Sequence, residues 1–216
     1  MLAMSVSFAF MHNARPPVVL HGDLDEAAFR QALQTEAVAL DIETTGLDWR
    51  CERIGTVQVA IADSIYVVRA DGLPYRLKAI VEDASIRKVL HHAMFDMRFL
   101  AHHWDIVPAH VACTKIASKL AEPEVPCEEH SLAPLLRRYL GVSLDKTQQR
   151  SEWTSELSSE QINYAADDVR YLLALYDCLD EKLKDAGLTD LRDRCYAHLP
   201  TRVELEVAGF PDVFAY

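Results

Sequence analysis

The sequence predicts a single α/β domain with a mixed sheet flanked by helices. The chain has 216 residues, of which 50% are hydrophobic, so it can bury one substantial core. Short apolar runs typical of strands alternate with runs of helical periodicity, and no linker or repeat interrupts them. We expect residues 1–16 to form an N-terminal extension and residues 17–216 to form the domain.

Apolar runs that end at turn residues predict five strands. They are Val18–His21, Ala37–Ile42, Thr56–Ala62, Ile65–Arg69 and Arg87–His91. Helical periodicity predicts six helices. They are Leu24–Thr35, Arg76–Glu82, Met94–His103, Thr114–Ala121, Leu132–Leu140 and Ser159–Lys184. A three-strand meander followed by crossover helices gives a sheet with both parallel and antiparallel pairs.

Two carboxylates follow each other closely at the end of the second strand. Asp41 and Glu43 are two residues apart, so on a strand their side chains point to the same face. Like charges side by side are unfavourable when buried unless a cation neutralises them. This pair is the strongest local indication of a metal, although a solvated turn after a strand is the ordinary explanation for such a pattern.

The last predicted helix brings a tyrosine and an aspartate together. Its start has the capping-box pattern of Ser158 and Gln161. Tyr164 and Asp168 are four residues apart, which places them about 40° apart around the axis and about 6 Å along it. Both can therefore reach one point, while a core tyrosine with its hydroxyl at the rim is the simpler alternative.

Asp96 lies in the first turn of the predicted third helix. A negative charge there also interacts favourably with the helix dipole, so the position alone does not indicate a ligand. If the fold brings Asp96 to the other carboxylates, the oxygen atoms would suit two hard divalent cations.

In this order the segments resemble the DEDD superfamily of 3′-to-5′ exonucleases, in the branch that has tyrosine before the last aspartate. The strings KTQQRSEW at 146–153 and QINYAADDVRYL at 161–172 resemble ribonuclease D. The string CTKIASKL at 113–120, the compact length and the ending GFPDVF at 209–214 are most similar to nanoRNase C. Ribonuclease D relatives usually have Asp where this chain has Cys113.

The resemblance implies a ribonuclease H-like fold, the DEDD exonuclease fold, and a two-metal mechanism. Asp41, Glu43, Asp96 and Asp168 would hold two Mg²⁺ or Mn²⁺ ions about 3.5 to 4 Å apart. One ion would activate water and the other would stabilise the leaving 3′ oxygen. Tyr164 would orient the water, since a phenol with a pKa of about 10 is a poor free base at neutral pH.

The resemblance also implies four substrate contacts, at Thr44, Leu47, His92 and Gln149. Thr44 would lie beside the scissile phosphate. Leu47 would wedge against the terminal bases, although plain packing also explains it. His92 stands where the family usually has Asn and differs in reach, and Gln149 belongs to the ribonuclease D-like string. Trp153 in the same string is interpreted as a core residue rather than a stacking platform.

The formal net charge of −11 bears on the substrate. Proteins that hold long nucleic acid usually present a basic track, so an acidic chain agrees better with short oligonucleotides. The nearest basic cluster is Arg137, Arg138, Lys146 and Arg150, and a solvated face explains it equally well. Three functions stay open: an exoribonuclease acting on short single-stranded RNA and dinucleotides, an exonuclease acting on DNA or structured RNA, and a non-catalytic nucleic-acid-binding relative.

The remaining features concern the compartment and the assembly. The five cysteines are odd in number and lack metal-ligand spacing, which is expected of reduced thiols in the cytoplasm. The histidine pairs 91–92 and 102–103 do not favour zinc, because no cysteine joins them. Residues 1–11 make a poor signal peptide, with Met4 and Met11 as alternative starts, and no run has the length of a membrane span. The nanoRNase C resemblance implies a homo-oligomer, with an octameric ring as its specific form.

Overall fold

The computed structural model describes residues 15–144 and 151–215. Six strands are β1 (Val18–His21), β2 (Ala37–Thr44), β3 (Ile54–Ile61), β4 (Ser64–Arg69), β5 (Arg87–Leu90) and β6 (Val111–Cys113). The first four helices are α1 (Glu26–Ala32), α2 (Tyr75–Glu82), α3 (Met94–Trp104) and α4 (Thr114–Ala121). A 3₁₀ turn (Cys127–His130) precedes α5 (Leu132–Leu140), α6 (Ser159–Arg170), α7 (Leu172–Asp185) and α8 (Thr189–Val207).

The strands form one mixed sheet in the order β1-β4-β3-β2-β5-β6. The β2–β3 and β3–β4 pairs are antiparallel, as the short connections between them require. The pairs of β1 with β4, of β2 with β5 and of β5 with β6 are parallel. The predicted single α/β domain with a mixed sheet is therefore confirmed.

Helices cover both faces of the sheet. Tyr66 on β4 donates a hydrogen bond to Gln31 of α1 (3.1 Å), so the side chain of Tyr66 lies on the α1 face of the sheet. Val59 of β3 is paired with Tyr66 and shares this face. Side chains alternate along a strand, so Gln58 and its β2 partner Asp41 point to the opposite face. The helix α6 packs on that face against β2, β3 and β4.

The last predicted helix is two helices in the structure. The expected helix Ser159–Lys184 is divided at Tyr171, whose φ of −110° and ψ of −1° interrupt the helix between α6 and α7. The main neighbours of the two halves differ, because α6 lies on β2, β3 and β4 while α7 packs mostly on α4 and α5. The capping box of Ser158 and Gln161 is present as predicted.

Other boundaries differ at the ends of elements. The strand β2 continues past Ile42 to Thr44, so Glu43 lies within the ladder rather than after it. The strand β6 and the helix α8 were not predicted. None of the helices in the described parts of the chain combines the length and the apolar character needed to cross a membrane.

Candidate active site

Three acidic side chains from two elements converge on the α6 face of the sheet. Asp41 and Glu43 come from β2, and Asp168 comes from α6. One carboxylate oxygen from each lies within 4.8 Å of the other two. The same-face prediction for β2 and the helical spacing of α6 thus bring these residues together, while the neighbouring Asp167 is bound to Arg170 instead (2.7 Å).

Asp96 reaches the same region from the other side of β2. Because β2 and β5 run parallel, their carboxyl ends lie at the same end of the sheet. The chain leaves β5 there and enters α3, which carries Asp96 in its first turn. Asp96 is only 2% exposed, and its Oδ1 accepts a hydrogen bond from the backbone N–H of Ile42 (3.2 Å). This bond places Asp96 against the strand segment between Asp41 and Glu43, although Asp96 is not one of the three mutually close oxygen donors.

Burial and mutual repulsion raise the pKa values of Asp41, Glu43 and Asp96. Burial, followed by the charge of Asp168, raises the pKa of Glu43 to about 9. Burial outweighs the bonds of Asp96 to backbone N–H groups and raises its pKa to about 8. The pKa of Asp41 is raised well above its usual value by burial and by the charges of Asp96, Asp168 and Glu43. Ionising the cluster is costly without a compensating positive charge.

The donor set fits a hard divalent cation. Carboxylate oxygens are the ligands that Mg²⁺ and Mn²⁺ prefer, and a bound cation would compensate the buried negative charge of the ionised carboxylates. One histidine of each pair has another partner: His91 Nδ1 is 2.9 Å from Thr114 Oγ1, and His103 Nε2 is 3.0 Å from the Trp49 carbonyl oxygen. Within the ranges that the structure describes, the acidic trio is the only group with metal-ligand spacing.

We expect the stability of the cation-free protein to fall as the pH rises. The pKa values of Glu43 (about 9) and Asp96 (about 8) exceed the value of about 4 for these groups in an unfolded chain. The folded protein therefore holds more protons than the unfolded chain, so its free energy of unfolding decreases from about pH 4 to about pH 9. Thermal unfolding in EDTA and in Mg²⁺ across this range measures the effect. Stabilisation by Mg²⁺ should grow with pH, and a pH-independent difference between the two series would contradict the prediction.

Tyr164 lies one helical turn before Asp168 and is fixed by an aromatic contact. Its ring centroid is 6.0 Å from that of Trp153, with an interplanar angle of 37°. Trp153 is 2% exposed, so its interpretation as a core residue is confirmed. The segment before α6 thus supports the ring of Tyr164 on the side of the helix that carries Asp168.

Trp153 can approach the sheet because β3 has a glycine where its ladder with β2 is irregular. The register shifts between Glu43 and Thr44, opposite Gly55. A Cβ added at Gly55 would lie 2.5 Å from the Cβ and 2.7 Å from the carbonyl oxygen of Trp153. Both are too close for ordinary contact, and the carbonyl belongs to the backbone, so it cannot simply rotate away.

Gly55→Ala should therefore displace Trp153 and weaken both the fold and the support of Tyr164. We expect a loss of about 1 to 3 kcal/mol in the free energy of unfolding, the usual cost of overpacking, together with reduced turnover. Denaturant unfolding and steady-state kinetics measure the two effects. Gly72→Ala, at a glycine with open space around it, is the matched control. Wild-type stability of Gly55→Ala would show that the contact is unimportant.

The predicted substrate contacts occupy different environments. Thr44 Oγ donates to the Gly46 carbonyl (2.6 Å), which shapes the turn after β2. Leu47 is 84% exposed, so core packing does not explain it. His92 is exposed in the turn before α3, with a φ of +61°. Gln149, like Lys146 and Arg150, lies outside the described residues, and Arg138 forms ion pairs with Glu122 and Glu129.

Two further polar residues adjoin the cluster and were missed by the sequence analysis. Thr56 and Gln58 are fully buried on β3, directly opposite Glu43 and Asp41 in the antiparallel register. The signal was present in the sequence, because polar residues at alternate positions in an otherwise apolar strand share one face.

The chain is similar to known exonucleases in sequence and in structure. Residues 18–184 match the family model described as 3′-5′ exonuclease. Ribonuclease D from Cronobacter turicensis is 28% identical over 178 residues, which cover 78% of this chain and 46% of the relative. DNA polymerase I from Aquifex aeolicus is 32% identical over 193 residues, covering 80% of this chain and 32% of the polymerase. The chain thus spans about a third to a half of these curated relatives.

A solved structure of Brucella melitensis NrnC has a TM-score of 0.84 and 35% identity, and the match covers 94% of this chain and all of that one (100%). The structure of Escherichia coli RNase D has a TM-score of 0.76 and 25% identity, covering 88% of this chain and 51% of that chain.

The mixed sheet with its flanking helices is therefore the ribonuclease H-like fold of the DEDD exonucleases. The chain belongs to the 3′-5′ exonuclease family. Within it, the resemblance to the ribonuclease D superfamily, and to nanoRNase C in particular, is confirmed.

Proposed function

We propose that the protein is a metal-dependent 3′-to-5′ exoribonuclease that hydrolyses short oligoribonucleotides and dinucleotides to nucleoside 5′-monophosphates. The observation that carries the proposal is the acidic cluster, in which oxygens of Asp41, Glu43 and Asp168 lie within 4.8 Å of one another beside the buried Asp96. Such a cluster is unfavourable on its own and suits divalent cations.

In this proposal the four carboxylates hold two divalent ions, Mg²⁺ or Mn²⁺. When bound, the ions supply an activated water and charge stabilisation for the leaving 3′ oxygen. Asp41, Glu43 and Asp168 provide the close oxygen donors, and Asp96 is held by its bond to the Ile42 N–H. Tyr164, braced by Trp153, orients the attacking water through its hydroxyl. Because Asp41, Glu43 and Asp96 have raised pKa values, metal binding releases protons from the site.

The choice of a short substrate is supported by charge and by similarity. The net charge of −11 disfavours a long basic track for phosphates. A similar protein, Brucella melitensis NrnC, has been solved with bound Mg²⁺ and bound to pGG. We assign the wedge against the terminal bases to the exposed Leu47, and further substrate contacts to Thr44, His92 and Gln149.

A second candidate is a 3′-to-5′ exonuclease acting on longer DNA or structured RNA. The similar E. coli RNase D is described as an exoribonuclease involved in structured RNA processing, and DNA polymerase I is among the relatives. A metal site of this kind can cut either backbone, and no residue described above reads the 2′-hydroxyl that distinguishes RNA from DNA.

A time course on 5′-labelled RNA of two, seven and twenty nucleotides, with matched DNA, separates the candidates. With Mg²⁺ or Mn²⁺ present, fast loss of the RNA dinucleotide supports the proposal. Stepwise shortening of long RNA or DNA that leaves dinucleotides intact supports the second candidate. Absence of cleavage on every substrate favours a non-catalytic nucleic-acid-binding relative.

We further propose that the protein is a cytoplasmic homo-oligomer, with an octameric ring as its specific form. Phe210, Val213 and Phe214 are exposed near the end of the chain and provide apolar surface for a contact between subunits. Light scattering of the purified protein tests this proposal, and a monomeric mass would overturn it.

A further inference from the structure

The strand β3 contains two polar side chains that the folding of the sheet does not require. All eight positions of β3 are buried, and Thr56 and Gln58 are 0% exposed. Burying an amide or a hydroxyl costs free energy unless hydrogen bonds compensate it. Two apolar side chains at these positions would satisfy the core equally well, so the polar pair calls for another explanation.

The pair is only partly satisfied by its own hydrogen bond. Gln58 Nε2 donates to Thr56 Oγ1 (2.6 Å). Gln58 Oε1 is buried and has no hydrogen-bond partner among the residues that the structure describes. One amide hydrogen of Gln58 and the hydroxyl hydrogen of Thr56 are not used by this bond. The buried pair therefore keeps unused hydrogen-bonding capacity.

The register directs this capacity towards the acidic cluster. Gln58 is opposite Asp41 and Thr56 is opposite Glu43 in the β2–β3 ladder. Directly opposed side chains share a face, with Cβ atoms about 4.5 to 5.5 Å apart. On the other side of β3, Gln58 is level with the apolar Val67, and Thr56 is level with Arg69. Arg69 is 3.6 Å from the carboxylate of Asp71, so it already has an anionic partner.

We propose that Gln58 and Thr56 are positioning residues that orient the carboxylates of Asp41 and Glu43 for cation binding. An amide and a hydroxyl can donate to the carboxylate oxygens that do not face the cation. Such donors favour the ionised carboxylate and fix its orientation. A half-turn of the Gln58 amide exchanges its oxygen and nitrogen, so the pair can adapt when the cluster gains or loses a cation. The inference rests on the proposed function, since it requires Asp41 and Glu43 to be metal ligands.

Calorimetric titration of Mn²⁺ into the 216-residue protein tests the proposal without relying on turnover. We expect Gln58→Leu to bind Mn²⁺ about 10- to 100-fold more weakly than wild type, the usual effect of removing an outer partner of a metal ligand. The thermal stability of Gln58→Leu without metal should stay near that of wild type. The substitution removes the hydrogen bond to Thr56, but it also removes a buried amide oxygen that lacks a partner, and the two effects offset each other. Tyr66→Phe removes a hydrogen bond to Gln31 on the opposite face and should keep wild-type affinity.

The position of Thr56 gives a second, smaller change. Thr56→Val removes the hydroxyl with little change of shape and should weaken Mn²⁺ binding. Thr56→Ser keeps a hydroxyl at this position and should bind Mn²⁺ with an affinity near that of wild type. Wild-type Mn²⁺ affinity in both Gln58→Leu and Thr56→Val would overturn the inference while leaving the proposed function intact. If Gln58→Leu does not fold, the comparison of Thr56→Val with Thr56→Ser decides. A wild-type protein that binds no Mn²⁺ would overturn both the inference and the proposed function.

Discussion

Replacing Asp41 with asparagine is expected to lower the turnover of a short RNA by on the order of 10³-fold or more. Burial and the charges of Asp96, Asp168 and Glu43 all raise the pKa of Asp41, so Asp41 interacts with each of the other three carboxyl groups. Metal ions stabilise transition-state charge by several kcal/mol, and each tenfold change in rate corresponds to about 1.36 kcal/mol. Asparagine keeps the shape but removes the anionic ligand, so both cation affinity and turnover should fall.

The metal-free Asp41→Asn variant should be at least as stable as wild type above neutral pH. The substitution removes one carboxyl from a cluster whose ionised carboxylates repel one another. Steady-state kinetics and thermal unfolding in EDTA measure the two properties on the same preparation. Asp167→Asn is the matched control, since Asp167 adjoins Asp168 in sequence but is bound to Arg170, and it should retain turnover. Full activity of Asp41→Asn would remove Asp41 from the proposed metal site.

Tyr164→Phe is expected to reduce turnover by about 10²-fold, the loss that follows when a reacting group such as the attacking water is misplaced by about 1 Å. The variant loses only the hydroxyl, and its ring can keep the contact with Trp153. The carboxylate ligands are unchanged, so the affinity for Mn²⁺ should stay close to that of wild type. The effect should therefore appear in kcat and not in cation binding.

Turnover and Mn²⁺ titrations of Tyr164→Phe distinguish a water-orienting role from a structural one. A structural role predicts lower thermal stability and weaker Mn²⁺ binding together with the lower rate. Tyr66→Phe, which removes a phenol hydroxyl from the α1 face of the sheet, controls for loss of a hydroxyl in general. Unchanged turnover in Tyr164→Phe would exclude Tyr164 from the mechanism.

Local periodicity explains why part of the site could be predicted from the sequence. Asp41 and Glu43 share a face because strand side chains alternate. Tyr164 and Asp168 share a side of α6 because four residues make about one helical turn. These are short-range rules, and the structure follows them. The convergence of β2, α3 and α6 depends on tertiary packing, and it was predicted through the resemblance rather than through periodicity.

The elements that were missed depend on contacts distant in sequence. The break at Tyr171 lets α6 pack on the central strands and α7 pack mostly on α4 and α5. The sequence around Tyr171 contains no glycine or proline that would indicate a break. The strand β6 has only three residues, too few for a period to be recognised. The helix α8 contains Pro200, which disfavours a helix prediction. The close approach of Gly55 to Trp153 becomes visible only in the structure. The alternating polar residues of β3 are recognisable in the sequence, but the position of Gln58 opposite Asp41 requires the β2–β3 register.

The release of nucleoside monophosphate from a labelled RNA dinucleotide, measured first in EDTA and then after adding excess Mn²⁺, tests the central claim most directly. We expect no release of nucleoside monophosphate in EDTA and rapid release once Mn²⁺ is supplied. With Mn²⁺, Asp41→Asn should release it more slowly by on the order of 10³-fold or more. Release that continues in EDTA would contradict a metal-dependent mechanism. An intact dinucleotide in the presence of Mn²⁺ would contradict the assignment to short RNA.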